Sequence, residues 1–139
     1  MADDVLLNKG ATIERCLARV REEFAGDPDG FSASVTRQDA AILNIQRACE
    51  AALDMGQHLI RRDRLGLPQS SRDVFTLLAQ ARRVPDSLAE SMRRMVGFRN
   101  VAVHGYQRLQ LPIVLNVIED RLVDLQAFST ALITGDAGR

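Results

Sequence analysis

ILNIQRACEAALDMGQHL, residues 42–59, decides the fold. Within it Ile42, Ile45, Cys49, Ala52, Gly56 and Leu59 follow one another in alternating steps of three and four. That spacing draws a narrow apolar seam down one side of an α-helix and suits it to pack against another helix. The seam serves either the core of a bundle or a homodimer contact, and the spacing alone does not separate these.

Outward from this stretch the chain reads as helix after helix. Thr36 with Asp39 resembles a capping arrangement, so the long helix opens near residue 36 and runs to about 65, where Gly66 and Pro68 end it. Before it, Leu6, Ile13, Leu17, Val20 and Phe24 give a first helix over roughly 4–25, stopped by the breaker cluster Ala25-Gly26-Asp27-Pro28-Asp29-Gly30. After it, Ser70 or Ser71 caps a shorter helix through about Arg83 that carries Val74, Leu77 and Leu78. Ser87 and Glu90 stand at capping-box spacing and open a fourth helix, whose Leu88, Met92, Met95 and Val96 lead directly into Arg99. Gly97 in that helix allows close approach of another backbone. Pro112 opens a last helix over about 112–134, with Val114, Ile118, Leu122, Leu125, Phe128 and Leu132. No strand-like alternation, repeat or low-complexity segment interrupts this. The expectation is an all-α antiparallel bundle of four to five helices forming one domain over residues 1–134, with a loose tail at 135–139.

The chain of 139 residues is 46% hydrophobic and 26% charged, as one ordinary globular domain requires. No run is long and apolar enough for a membrane span, and Met1-Ala2-Asp3-Asp4 is acidic, unlike a signal peptide. Cys16 and Cys49 lack CxxC spacing and fall in helical patterns, which points to reduced core thiols in a cytoplasmic protein. Two distant histidines and two distant cysteines make no recognisable metal-ligand set, so neither metal nor cofactor is expected. A net charge of zero conceals a segregation: residues 61–108 hold ten arginines against four acids, including Arg61, Arg62, Arg64, Arg82, Arg83, Arg93, Arg94 and Arg108. Such a field would attract a polyanion such as RNA, although any single arginine is more often an ordinary ion-paired surface residue.

Chemistry concentrates at Phe98-Arg99-Asn100-Val101-Ala102-Val103-His104-Gly105-Tyr106, which holds one of two histidines and the only tyrosine. Imidazole moves protons near neutral pH, and guanidinium holds phosphate oxygens through a planar fork of donors. Arg-x4-His alone is weak, because arginine fills 17 of the 139 positions. The company strengthens it: Asn after Arg, small spacers, and Tyr two residues after His. On a regular helix Asn100 and His104 share a face, while Arg99 and His104 stand about 140° apart. Either the backbone near Gly105 is distorted, or two chains complete one site.

The bundle with Arg99-Asn100-x3-His104-x-Tyr106 between its fourth and last helices resembles the HEPN superfamily, and more narrowly its HepT-like toxins. The likeness extends through residues 42–59, the connection LGLPQSSRDVFTLLAQ at 65–80 and MVGFRNVAVHGY at 95–106, and so covers nearly the whole chain. It implies a metal-independent endoribonuclease toxin of a bacterial type VII-like toxin–antitoxin module, with its active site shared across a homodimer. Arg99 and His104 would be catalytic and Asn100 supporting. Tyr106 would receive AMP from a minimal nucleotidyltransferase antitoxin, placing bulk and negative charge beside the site.

Two other readings stand beside this one. The chain could be a non-catalytic helical module that binds nucleotide or a nucleotidyltransferase partner, or it could itself restrain that partner. Tyr106 could merely pack its ring, and His58, near the basic end of the long helix, is read as a histidine without catalytic duty. Met92 and Met95 are core residues first.

Overall fold

In the computed structural model, which describes residues 2–104 and 110–139, and of Val103 and His104 only the helical backbone, the helices follow the expected order with two additions. They are α1 (Asp4–Phe24), α2 (Pro28–Ser32), α3 (Val35–Asp63), α4 (Ser71–Gln80), α5 (Asp86–His104), α6 (Leu111–Asn116) and α7 (Leu122–Ala137), with a π-helical turn, Val117–Arg121, joining the last two.

Short polar side chains set the helix starts. Asp3 caps α1 by accepting from the backbone N–H groups of Val5 and Leu6, Ser34 caps α3 by accepting from Arg37, and Ser70 caps α4 by accepting from Asp73. The cap of α3 is therefore Ser34 rather than Thr36. α5 opens at Asp86, and Glu90 pairs with Arg93 and Arg94 instead of closing a box with Ser87. Ala25 and Arg64 end α1 and α3 in the left-handed conformation, at φ 54° and 55°.

Two further expectations are corrected. The breaker cluster after α1 holds a short helix, because Asp27 caps Pro28–Ser32 and brings Phe31, fully buried, edge-on to Phe24 at 5.5 Å between ring centres. The stretch 135–137, read as part of a loose tail, continues α7 to Ala137, and Asp136 takes hydrogen bonds from Arg62.

All six seam residues of α3 are buried, as are Ala41, Ala48, Leu53, Met55 and Ile60, so the seam belongs to the bundle core. α3 packs along α1 on one side and against α4, α5 and α7 on the other. Gly56 makes the approach of α4 possible: a Cβ there would lie 2.6 Å from Val74 Cγ1 and 3.1 Å from Leu78 Cδ1. Phe75 of α4 and Phe128 of α7 meet edge-on at 5.3 Å beneath it.

One ion-pair network ties both chain ends to α3. Asp3 accepts from Arg62 Nη1 at 2.9 Å and lies 2.7 Å from His58 Nε2; Arg62 also reaches Asp63 and Asp136, and Arg83 reaches Asp63 at 2.8 Å. The hydrogen bond from His58, then those from Leu6 N–H and Arg62, hold the Asp3 carboxyl at about 2, down from 3.8. A carboxylate whose folded-state pKa is depressed stabilises above its ordinary pKa, and that stabilisation is lost as pH falls through the depressed value. Asp3→Asn should therefore lower the melting midpoint by a few degrees at pH 5, the gap to wild type closing between about pH 4 and pH 2. Differential scanning calorimetry across that range checks it; a gap independent of pH would remove Asp3 from the acid response.

Candidate functional site

α5 carries the Arg99–His104 segment in its last turns and stays helical through His104. Positions 99 and 104 therefore diverge by about 140°, as regular geometry requires. Met92, Met95, Val96 and Ala102 bury the inner side of α5, and Arg99 lies on that side too. Its guanidinium turns back between α3 and α4: Nη2 donates to Ser71 Oγ at 3.1 Å, and Nε lies 3.2 Å from Glu50 Oε1. Arg99 is only 15% exposed, and its Nε has no aligned hydrogen bond among the described residues, so Glu50 serves it as a counter-charge. Because Ser70 supplies the cap of α4, the Ser71 hydroxyl is left to receive Arg99.

Asn100 is half-buried and shares a face of α5 with position 104. The His104 side chain, and Tyr106 and Arg108 entirely, lie outside the described residues. The structure thus brings Arg99 to Glu50 and Ser71, partners that sequence reading missed. Nothing local signals them, since they stand 49 and 28 positions away. Gly97 was expected to admit a backbone; what lies over it is the side chain of Arg72, with Nη2 3.2 Å from where a Cβ would stand.

The basic segment is partly neutralised. Arg62 and Arg83 belong to the network around Asp63, and Arg93 and Arg94 pair with Glu90. Arg61, Arg64, Arg72 and Arg82 form no ion pair among the described residues. His58 pairs with Asp3 on the far end of α1, consistent with a structural rather than catalytic duty. On the opposite flank of α5, a groove of about 550 Å³ is lined by Met95, Phe98, Val101, Ile113 and Val117, with Arg94 and Arg121 at its edges. Val101 and Ile113 are exposed there.

Among the described residues no group of three or more His, Cys, Asp or Glu side chains could hold a metal ion, and no helix is long and apolar enough to cross a membrane. Cys49 adjoins Glu50 yet is no nucleophile: burial first, and then Glu50, push its thiol up to about 12, while Arg99 only partly opposes them.

A helical bundle with a polar constellation at the end of one helix defines a class, and comparison with known proteins gives it a family. Residues 13–132 match the family model described as "Ribonuclease HepT-like". The chain is 47% identical over 126 residues to the mRNA nuclease HepT of Shewanella oneidensis, covering 91% of this chain and 94% of that protein. Two solved structures superimpose with a TM-score of 0.89 at 45% identity. One, a toxin–antitoxin complex with AMP-PNP, is matched over 94% of this chain and 98% of that one. The other is a tri-AMPylated Shewanella oneidensis HEPN toxin in complex with its MNT antitoxin, matched over 94% and 97%. The chain belongs to the HepT-like ribonuclease family.

Cys16 and Cys49 are both free and buried, and burial raises the Cys16 thiol as well. In native protein at pH 8, iodoacetamide should label neither within the time that labels both in denaturant, as read by intact mass. Rapid native labelling of Cys49 would show that α3 and α5 separate at Glu50 and Arg99.

Proposed function

We propose that this chain is a metal-independent endoribonuclease toxin that acts on RNA in the cytoplasm, and that a nucleotidyltransferase antitoxin restrains it by transferring AMP to Tyr106. The observation that carries the reading is the match, over nearly the whole chain and at a TM-score of 0.89, to an AMPylated HEPN toxin. It is joined to an intact Arg99-Asn100-x3-His104-x-Tyr106 in this sequence.

In this reading His104 moves protons. One imidazole takes the proton of the ribose 2′-OH as that oxygen attacks phosphorus, and one returns a proton to the departing 5′-oxygen. The products are a 2′,3′-cyclic phosphate and a 5′-hydroxyl. Arg99 offers its permanent charge to the equatorial oxygens of the phosphorane-like transition state, and Asn100 orients His104 or the phosphate. Two observations support a site shared by a homodimer. Arg99 and position 104 diverge on a regular helix, and the apolar groove on α5 leaves Val101 and Ile113 in solvent. A two-fold pairing presents both histidines to one phosphodiester. AMP on Tyr106 would add bulk and negative charge two residues from His104, excluding RNA by occlusion and repulsion.

His104→Ala and Arg99→Ala should each abolish RNA cleavage, by about a hundredfold or more for His104; His104→Ala should melt near wild type, whereas Arg99→Ala, which strips a mostly buried guanidinium from Glu50 and Ser71, should melt lower. Cleavage by His104→Ala at the wild-type rate would remove the catalytic assignment. Activity should persist in excess EDTA; loss restored by Mg²⁺ would point to metal chemistry. Tyr106→Phe should remain toxic and escape the co-expressed nucleotidyltransferase, whereas wild type gains adenylyl mass on the Tyr106 peptide. Neutralisation of Tyr106→Phe without added mass would assign control to binding alone.

A further inference from the structure

Arg72 is used by none of this, yet its placement is specific. It stands in the first turn of α4, one residue after the Ser71 that holds Arg99, and is exposed. Its guanidinium crosses α5 at Gly97, where a Cβ would lie 3.2 Å from Nη2 and, among the described residues, within 4 Å of no other outside the helix's own turns. Glycine in a helix interior is destabilising relative to alanine. Here it opens a notch that a long cationic side chain fills. Among the described residues that cation makes no ion pair and no hydrogen bond.

Gly97, Asn100 and His104 are spaced i, i+3, i+7, which places them on one stripe of α5. Arg72 therefore lends a permanent charge to the stripe bearing the proton-transfer residue, while Arg99 stands on the other side of the helix with its guanidinium between Glu50 and Ser71. Gly97 and His104 are about 10 Å apart along the helix axis, too far for one phosphate to meet both. We infer that Arg72 is a substrate-binding residue whose guanidinium holds an RNA phosphate neighbouring the one that is cut. The inference rests on the assignment of His104 to proton transfer. Arginine suits the role, since its fork of donors matches phosphate oxygens and its charge does not titrate. The rival explanation is steric: the aliphatic stem of Arg72 merely covers α5.

The test separates these. In the full-length His104→Ala protein, which should bind RNA without cutting it, affinity for a single-stranded RNA oligonucleotide is measured by fluorescence anisotropy over a range of salt. Adding Arg72→Met keeps the stem and removes the charge. It should weaken binding by about tenfold and flatten the slope of log K against log salt by about 0.7 for each phosphate that is no longer held. Arg72→Lys should recover most of the slope. Arg19→Ala removes the same charge from a residue already paired with Glu22 and Glu23, and should leave both quantities near the parent. Unchanged affinity and slope in Arg72→Met overturns the inference, and so does an equal weakening in Arg19→Ala, which would reduce the effect to the overall field. If Arg72→Met binds RNA normally but is AMPylated more slowly by the nucleotidyltransferase, the surface belongs to that partner and the inference fails. A wild-type protein that neither binds nor cuts RNA would instead sink the ribonuclease reading, and the inference with it.

Discussion

Burial of α3 between α1 on one side and α4, α5 and α7 on the other fixes its rotation about its own axis. A slip of one residue would turn it by about 100° and carry its apolar seam out of the core. The seam residues are fully packed, and Gly56 admits Val74 of α4 at a distance no larger residue would allow. That rotation decides where Glu50 stands. Its carboxylate faces Arg99, and Ser71 arrives at the same guanidinium because α4 is locked onto Gly56. The surroundings of Arg99 near the end of α5 are thus a consequence of how tightly a helix two elements away is held.

Charge is organised by the same packing. Asp3, Asp63 and Asp136 come from three separate parts of the chain and converge on Arg62, which closes the ends of α1 and α7 onto the end of α3. Partly exposed pairs of this kind contribute modestly one at a time, and more as a network with shared partners. Their second effect is electrostatic. Arginines that look interchangeable in sequence become two populations, one neutralised within the fold and one, including Arg61, Arg64, Arg72 and Arg82, that forms no ion pair among the described residues and is left to act on what approaches from outside.

α5 carries unlike duties on its different sides. Its inner side is core, yet it includes Arg99; a second stripe bears Gly97, Asn100 and His104; and a third lines the apolar groove with Phe98 and Val101. The groove's far wall comes from the end of α6 and the π-helical turn, where one extra residue in the turn widens the helix. A single helix thus gives one side to the core, one to the polar candidate-site residues and one to an apolar groove.

Much of this was legible in the sequence. The alternating steps from Ile42 to Leu59, the apolar spacing of α1 and α5, and the turn residues between them are short-range patterns, and short-range patterns dictate helices and their inward faces. The Arg99–Tyr106 segment stood out as a candidate site for the same reason, since its members lie within eight consecutive residues of the sequence. The breaker cluster concealed α2, because Asp27 caps a helix where Gly26 and Gly30 signal a turn, and Phe31 has a buried seat only once α1 and α3 are packed. The stretch 135–137 looked loose because the partner of Asp136 is Arg62, 74 positions away. Ser71 and Glu50 on Arg99, and Arg72 over Gly97, were invisible likewise: each depends on the rotation and depth at which separate helices meet. Sequence spacing by itself determined which residues form helices and which side of each turns inward. The tertiary structure alone decided which charges cancel, which remain free, and what each reactive group faces, because those depend on contacts between residues far apart in the chain.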